Sequence, residues 1–193
     1  MIAIVQYNAG NTGSVQNALT RLGYESIITD DTDTICSADK VILPGVGQAR
    51  AAMQQLQQKG IADIIPTLTQ PVLGICLGLQ LLCKSSSEGR INCLGIFDCA
   101  VKRFPTGQIV PHTGWNTLEE MKGLLFSSIE RLKPDVYFVH SYYAQPCSAT
   151  VAICNYILPF SAALQKDNFY ATQFHPEKSS GIGEIILKNF LTL

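Results

Sequence analysis

The chain has 193 residues, of which 47% are hydrophobic and 15% are charged, and this composition is typical of one globular domain with a sizeable apolar core. The formal net charge of -1 excludes the strongly basic surface needed to bind nucleic acid or an anionic membrane, and no apolar run is long enough to span a bilayer. The seven cysteines are an odd number without metal-like pairing, which argues against a disulfide framework and predicts a reducing, cytoplasmic setting.

The first half of the chain alternates between predicted strands and helices. An apolar strand at residues 2–6, without the basic leader or cleavage site of a signal peptide, precedes a helix at residues 11–22 whose apolar side chains share one face. The pattern continues with a further helix and three further strands, at residues 48–58 for the helix and 24–29, 40–43 and 71–75 for the strands. Strands that alternate with helices predict parallel pairing, with helices on both faces of the sheet.

After Glu88 the pattern changes to short strands separated by turns. These strands are predicted at residues 96–103, 108–110, 136–140, 151–155, 162–165 and 170–174. Asp167-Asn168 has the composition of a hairpin turn, and residues 181–191 form a closing helix. The chain is therefore predicted to be one α/β domain, residues 1–193, with a mostly parallel central sheet flanked by helices and additional antiparallel strands in its C-terminal half.

A turn of the form Gly-x-Cys-x-Gly stands between a predicted strand and a helix-compatible run, in the string Gly74-Ile75-Cys76-Leu77-Gly78. This arrangement is a nucleophile elbow with cysteine in place of serine, and its glycines admit a close approach of the strand and helix backbones. The helix N-terminus favours the thiolate, and the turn aims the backbone N–H of Leu77 at an oxyanion beside the sulfur. The alternative is a buried structural cysteine, but the two glycines favour the nucleophile.

His175 follows the last predicted strand, which Pro176 ends, and Glu177 stands two residues further on. A histidine just past a strand end can serve a cysteine nucleophile as its base, and a nearby carboxylate can hold the tautomer of that histidine. Taken alone, these residues would favour a surface histidine and an exposed glutamate in a loop. Together with the elbow they predict a triad of Cys76, His175 and Glu177.

The strings Gly-Ile-Cys-Leu-Gly-Leu-Gln and Gln-Phe-His-Pro-Glu-Lys resemble those of class-I, triad-type glutamine amidotransferases. Three further strings are similar to the glutaminase subunits of imidazole glycerol phosphate synthases: Pro-Gly-Val-Gly from Pro44, Pro-His-Thr-Gly-Trp-Asn from Pro111 and Phe-Val-His-Ser-Tyr from Phe138. The resemblance covers residues 2–190. It implies a flavodoxin-like fold, one glutamine amidotransferase type 1 domain, glutamine as the substrate, a place in histidine biosynthesis, and neither a cofactor nor a metal ion.

The second oxyanion donor is expected from another loop at the same edge of the sheet as Leu77. The loop Pro44-Gly45-Val46-Gly47 follows a predicted strand, and its glycines permit a peptide flip. An ordinary turn is the alternative, since Pro-Gly strings usually form turns. The resemblance implies that this loop lies near the oxyanion site and that a partner switches the glutaminase on. We therefore expect Val46 or Gly47 to turn an N–H inward before catalysis.

The expected reaction is hydrolysis of glutamine to glutamate and ammonia through a thioester on Cys76, with His175 as acid and base and Glu177 orienting it. The resemblance places Gln80, Ser141 and Tyr142 near the glutamine. Gln80 could equally be a solvated helix residue.

Ammonia is protonated in neutral water and must reach its acceptor directly, yet the chain has no glycine-rich nucleotide fingerprint of its own. The resemblance implies a separate cyclase subunit, a (βα)8 barrel that forms a heterodimer with this chain and makes imidazole glycerol phosphate and an aminoimidazole carboxamide ribotide. The matching interface positions are Asn11, Trp115, Tyr137 and Lys178. Burial in the core is an equal alternative for Trp115, and simple solvation is the alternative for Lys178.

Two strings depart from the pattern of the resembled subunits, at residues 6–11 and 112–116, where Thr113 replaces the usual methionine. They lie outside the triad and leave the glutaminase chemistry intact, but they leave open a paralogous amidotransferase that feeds another acceptor, such as a surface-sugar pathway. A γ-glutamyl hydrolase or cysteine peptidase uses a similar triad but has no evident need for Gln80 or the Gly-Trp-Asn string. A non-catalytic regulatory subunit is the non-enzyme alternative, and the intact triad argues against it.

Overall fold

The computed structural model describes residues 1–7 and 11–193, so residues 8–10 of the departing string at residues 6–11 lie outside the described residues. The strands are β1 Ile2–Val5, β2 Ser26–Thr29, β3 Lys40–Leu43, β4 Val72–Ile75, β5 Cys83–Ser86, β6 Ile91–Asn92, β7 Phe97–Arg103, β8 His112–Thr117, β9 Asp135–His140, β10 Tyr142–Ala144, β11 Thr150–Tyr156, β12 Leu158–Lys166 and β13 Phe169–Thr172. The α-helices are α1 Thr12–Arg21, α2 Thr32–Ser37, α3 Ala49–Gln58, α4 Ile61–Ile64, α5 Leu77–Leu82 and α6 Ser180–Leu191. Short 3-10 helices occur at Ile65–Thr67, Leu124–Phe126 and Pro176–Lys178.

The central sheet has seven strands in the order β11-β12-β13-β4-β3-β1-β2. The strands from β13 to β2 are all parallel, whereas β11 and β12 are added antiparallel at one edge. The parallel strands β1 and β4 are buried along their whole length, because helices cover both faces of the sheet. This confirms the predicted α/β fold with a mostly parallel sheet and antiparallel strands in the C-terminal half.

The two faces of the sheet pack against different helices. Ile2 and Ile4 of β1 point into a cluster with α1 and α6, while Ala3 and Val5 point into a second cluster with α2, α3, α4 and α5. This alternation follows from the two-residue period of a strand. The pair β8–β9 packs on the first face, and the four-stranded sheet β10-β7-β5-β6 packs on the second.

Most of the predicted elements are present, with ends that differ by a few residues. The turn at Asp167-Asn168 joins β12 to β13 antiparallel, as predicted. The predicted strand at residues 108–110 is wrong: this segment is a loop with Ile109 81% exposed, and the Tyr156 hydroxyl donates to the Ile109 carbonyl. Gly107, with φ of 111°, and Pro111 flank the segment and prevent a regular ladder.

Several elements were not predicted, namely α2, α4, β5, β6, β8 and β10. The strand β8 matters most for function because it carries Trp115 and pairs antiparallel with β9, with His112 opposite His140 and Trp115 opposite Tyr137. Its polar sequence His-Thr-Gly-Trp-Asn-Thr lacks the apolar alternation that marks a half-buried strand.

Candidate active site

Cys76 stands between β4 and α5 with φ of 54° and ψ of −105°, a backbone conformation that residues with a side chain rarely adopt. The flanking glycines explain how the chain reaches it. A Cβ on Gly78 would overlap the Leu43 carbonyl oxygen, and one on Gly74 would lie 2.9 Å from the Gly78 carbonyl oxygen. The predicted strand–turn–helix elbow is therefore present, and it brings the Cys76 sulfur to the carboxyl edge of the parallel strands.

The carboxyl ends of three neighbouring parallel strands meet at this edge: β3 leads into the loop from Pro44, β4 into Cys76, and β13 towards His175. His175 Nδ1 lies 2.8 Å from Glu177 Oε1, and both side chains are fully or almost fully buried. Because the carboxylate can only accept, Nδ1 carries the proton and Nε2 is left to face the cysteine. The structure thus brings the three predicted triad residues together.

Buried groups around His175 decide its charge. Burial lowers the pKa of His175, but its interactions with Cys76 and Glu177 outweigh burial and raise the pKa to about 10. Among the described residues His175 Nε2 has no hydrogen-bond partner of standard geometry, so the influence of Cys76 acts on an unpaired, buried nitrogen. At neutral pH the buried imidazole of His175 is therefore protonated beside the Cys76 sulfur.

Glu177 has a second partner that the sequence did not reveal. Asn11 Nδ2 donates to the same Oε1 at 2.9 Å, while Oε2 has no hydrogen-bond partner within the described part of the chain. Asn11 precedes α1 with φ of 94°. The residue was predicted as an interface position; the structure places it behind the acid of the triad.

A cavity of about 300 Å³ opens beside the sulfur. All six predicted oxyanion and substrate positions line it. The lining residues are Val46, Gly47, Cys76, Leu77, Gln80, Glu88, Pro111, Val139, His140, Ser141 and Tyr142. Its size is at the small end of the range for ligand sites, which suits a molecule such as an amino acid. Gln80 is 4% exposed, so the alternative of a solvated helix residue is wrong.

The predicted oxyanion donor is engaged in this structure. The Leu77 N–H donates to the Gly45 carbonyl oxygen at 3.3 Å, so the loop from Pro44 occupies the donor that the elbow presents. The loop is held from behind by Tyr7, whose hydroxyl donates to the Pro44 carbonyl. Burial, followed by the neighbouring Cys76 charge, raises the pKa of Tyr7, so its proton stays available for that bond.

Sequence reasoning missed two polar side chains of the site. Glu88 lines the cavity, and its Oε2 accepts from the Ala49 N–H at 2.7 Å. Gln173 is fully buried, and its Nε2 donates to the Cys76 sulfur at 3.6 Å. Gln173 belongs to the Gln-Phe-His-Pro-Glu string and was a visible candidate there, whereas Glu88 follows a serine run without any motif.

The remaining predicted interface residues lie outside the cavity. Trp115 is 53% exposed and meets Tyr137 edge to face at 6.1 Å between ring centroids, so the alternative of a core tryptophan is wrong. Lys178 is exposed in the 3-10 helix that follows His175. The backbone of Tyr137 accepts from the His175 N–H at 2.9 Å, which ties β9 to the histidine loop.

Neither a metal site nor a membrane span emerges from residues 1–7 and 11–193. In these ranges no three metal-ligating side chains converge on one point. Every helix there is too short or too polar to cross a bilayer.

The comparisons with known proteins agree with this geometry. The profile of the glutamine amidotransferase class-I family matches residues 3–193. The imidazole glycerol phosphate synthase subunit HisH of Bacteroides fragilis is 55% identical over 195 residues, which cover 100% of this chain and 99% of that protein. The corresponding subunit of Bacteroides thetaiotaomicron is 54% identical with the same coverage. A crystal structure of a glutamine amidotransferase shares the fold, with a TM-score of 0.75 at 19% identity, over 100% of this chain and 98% of that chain. The chain therefore belongs to the class-I glutamine amidotransferase family and, within it, to the HisH subunits of imidazole glycerol phosphate synthase.

Proposed function

We propose that the chain hydrolyses glutamine with Cys76 as the nucleophile, His175 as acid and base and Glu177 as the orienting carboxylate. The observation that carries this proposal is the joint position of the three side chains: the sulfur lies on a cavity of about 300 Å³, and the histidine behind it is held by a carboxylate at 2.8 Å. Membership of the HisH family gives the substrate, glutamine, and the role, the glutaminase subunit of imidazole glycerol phosphate synthase.

The reaction begins from the thiolate and the imidazolium. The Cys76 sulfur forms a bond to the carboxamide carbon of glutamine, and the C=O electrons move to the oxygen. His175 gives its proton to the amide nitrogen, the C–N bond breaks, and ammonia leaves a thioester. Neutral His175 then takes a proton from water, the resulting hydroxide attacks the thioester, and the C–S bond breaks to release glutamate and restore the ion pair.

The cavity offers a partner for the charged amine of the substrate. Glu88 is the one carboxylate among the described residues that line it, and an ammonium group there would gain a charge-assisted hydrogen bond. Gln80 turns its Nε2 towards the protein, so its Oε1 is left to accept from the same amine. Ser141 and Tyr142 also line the cavity, where they would contact the bound glutamine.

The oxyanion site must change before catalysis, because the Leu77 N–H is bound to the Gly45 carbonyl at 3.3 Å. The loop from Pro44 to Gly47 has to release this donor, and Val46 or Gly47 has to supply the second one. A structure with glutamine and the activating partner bound would test this step. Val46 and Gly47 N–H groups that both point away from the substrate carbonyl would contradict it.

The proposed partner is a cyclase subunit of the (βα)8-barrel type, joined to this chain as a heterodimer in the cytoplasm. The HisH relatives are subunits of imidazole glycerol phosphate synthase, which supports a partner subunit. Trp115, Tyr137 and Lys178 lie outside the cavity and next to the histidine loop, where a partner could receive ammonia and act on the site. An exposed tryptophan is a frequent anchor of such an interface.

The testing experiment measures glutamate release by the purified chain alone, with the cyclase, and with the cyclase plus its ribonucleotide. Low activity alone and a large rise with the full set would support a partner-gated glutaminase. Activity indifferent to the cyclase would keep the triad and move the pathway to a paralogous acceptor, and cleavage of γ-glutamyl peptides in preference to glutamine would indicate a hydrolase.

Cys76→Ala should lower the glutaminase rate at least about 1,000-fold while glutamine still binds, because the nucleophile alone is removed. Cys36→Ala is the matched control, since Cys36 is an exposed free cysteine, and it should retain full activity. Substantial glutamate release by Cys76→Ala would contradict the assignment of the nucleophile.

A further inference from the structure

The Cys76 sulfur is held by a buried chain of side-chain amides. Gln173 Nε2 donates to the sulfur at 3.6 Å, and Gln173 Oε1 accepts from Gln80 Nε2 at 3.0 Å. Gln80 Nε2 also donates to the Tyr142 carbonyl oxygen at 3.0 Å. Gln173 is completely buried and Gln80 is 4% exposed, so water does not compete for these bonds.

The donor and the acceptor of each hydrogen bond in this series of amides follow from the Tyr142 carbonyl. The Tyr142 carbonyl can only accept, which makes the Gln80 nitrogen face it and leaves that same nitrogen to donate to Gln173. The Gln173 oxygen therefore faces Gln80, and its N–H points at the sulfur. A hydrogen-bond donor at this position favours the thiolate over the thiol and holds the sulfur in one direction.

The carbonyl that anchors Gln80 is itself fixed by a pair of histidines. His140 Nδ1 lies 2.8 Å from the Tyr142 oxygen, and His140 Nε2 lies 3.1 Å from His112 Nδ1. Asn116 Nδ2 lies 3.2 Å from His112 Nε2. Because the carbonyl accepts, His140 must donate from Nδ1, His112 must donate from its own Nδ1, and Asn116 must donate to His112.

Both histidines remain neutral near pH 7, which this arrangement requires. Burial lowers the pKa of His112 to about 4, and burial with smaller contributions lowers the pKa of His140 to about 3. Their rings are packed among aromatic side chains, with His112 stacked on Tyr156 at 4.0 Å between centroids. The Tyr142 carbonyl, which accepts from Gln80, is thus held in place by the buried His112–His140 pair.

We propose that Gln173 is a positioning residue for the nucleophile: its buried amide, orientated by Gln80 and by the carbonyl that the His112–His140 pair fixes, donates to the Cys76 sulfur and stabilises it as a thiolate facing the cavity. The inference rests on the proposed role of Cys76 as nucleophile. The proposed roles of the two residues differ: Gln173 holds the sulfur through a hydrogen bond, whereas His175 transfers protons during the reaction.

The test is the rate at which iodoacetamide alkylates Cys76 as a function of pH, in the full purified chain without glutamine or partner. Mass spectrometry of the peptide that contains Cys76 separates this residue from the other six cysteines of the chain. Titratable groups that act on the sulfur, His175 and Tyr7, stay unchanged in every variant. The readout does not depend on turnover.

Gln173→Glu should slow alkylation at pH 7 by about 10-fold or more and move the midpoint of the pH–rate profile upward by about one pH unit, because a carboxylate oxygen then faces the sulfur. Gln173→Met, which removes the donor without adding charge, should slow alkylation by about 3- to 10-fold. Gln57→Glu adds the same charge on the exposed face of α3 and should leave the profile unchanged.

Profiles of Gln173→Glu and Gln173→Met that coincide with that of the unchanged chain would overturn the inference. If Gln173→Glu fails to fold, as judged by its circular dichroism and melting temperature, Gln173→Met decides alone. The two proposals fail separately: glutaminase activity in Cys76→Ala would remove the nucleophile assignment, whereas alkylation that is insensitive to Gln173 would remove only the positioning role.

Discussion

Single residues of this chain stand in backbone positions that nearly any substitution would disturb. Cys76 has a positive φ of 54° because β4 must turn at once into α5. Gly78 lets α5 pack against Leu43 of β3, and Gly74 lets β4 pack against α5. His175 and Glu177 are close in sequence, but Asn11, which completes the acid side, comes from the opposite end of the chain. The strain at Cys76 is held by this surrounding packing.

Gly78→Ala should lower the free energy of unfolding by about 2 kcal/mol or more, because its Cβ would overlap the Leu43 carbonyl oxygen and backbone must move. Gly13→Ala is the matched control: it lies in α1 with open space around it and should be neutral or stabilising by up to about 1 kcal/mol. Urea denaturation of both variants measures the difference. Equal stabilities would show that the elbow tolerates a side chain.

Glu177→Gln should lower the pKa of His175 from about 10, because the neighbouring negative charge is one of the causes that raise it. The glutaminase rate should fall about 10- to 100-fold, since the imidazolium is less favoured and its orientation is weaker. NMR titration of the His175 ring and steady-state kinetics measure the two effects. Glu130→Gln removes an exposed carboxylate outside the triad and should change neither the pKa of His175 nor the glutaminase rate.

At the level of elements, the parallel strands β3, β4 and β13 position the loops of the active site. The short strands β8 and β9 complete the site by carrying His112 and His140. The histidine pair joins these two strands, with His112 directly opposite His140 in the register. The pair is buried and neutral, so the unfolded chain binds protons at mildly acidic pH that the folded chain does not bind. The free energy of unfolding therefore depends on pH through the two histidines of β8 and β9.

Stability should fall as the pH drops from about 6.5 towards 5, because the folded pKa of His140, about 3, lies below the unfolded value of about 6.5. His140 alone should contribute about 1 kcal/mol per pH unit in that window, and His112 acts in the same direction. His175, with a raised pKa of about 10, is protonated in both states below pH 6, and its contribution is lost only as the pH rises towards 10.

Urea denaturation between pH 6.5 and 5 measures this dependence. His140→Gln should give a flatter curve than the unchanged chain, because one of the two titrating groups is removed. A curve of the same slope in the variant would mean that His140 is not the group responsible.

At the scale of the whole molecule, strand β9 connects the Trp115–Tyr137 pair to the loop that carries His175. The Tyr137 backbone accepts from the His175 N–H at 2.9 Å and donates to Ser179 Oγ at 3.0 Å, while its ring contacts Trp115. A partner that binds Trp115 would therefore contact β8 and β9, and β9 is hydrogen-bonded to the loop that carries His175. This connection is consistent with a glutaminase that its partner switches on.

Trp115→Ala should weaken binding to the cyclase by about 10- to 100-fold, because an exposed tryptophan anchor loses most of its contact area. The stability of the isolated chain should change by less than about 1 kcal/mol, since half of the side chain is already in water. Titration calorimetry with the cyclase measures the first effect, and Leu132→Ala, another half-exposed apolar residue, is the control. Unchanged affinity in Trp115→Ala would place the interface elsewhere.

The sequence by itself determined the elbow at Cys76, the His175–Glu177 pair and the alternating half of the fold, because each depends on residues within a few positions of one another and on strand and helix periods. The sequence pattern wrongly predicted a strand at residues 108–110 and did not predict β8. In short polar segments there is no hydrophobic periodicity that distinguishes a strand from a loop. Only the tertiary structure brought Asn11 to Glu177, Gln173 to Cys76 and the Gly45 carbonyl to the Leu77 N–H. These contacts join distant segments, and their geometry is set by the order of the strands and by buried hydrogen bonds that have no local signature in the chain.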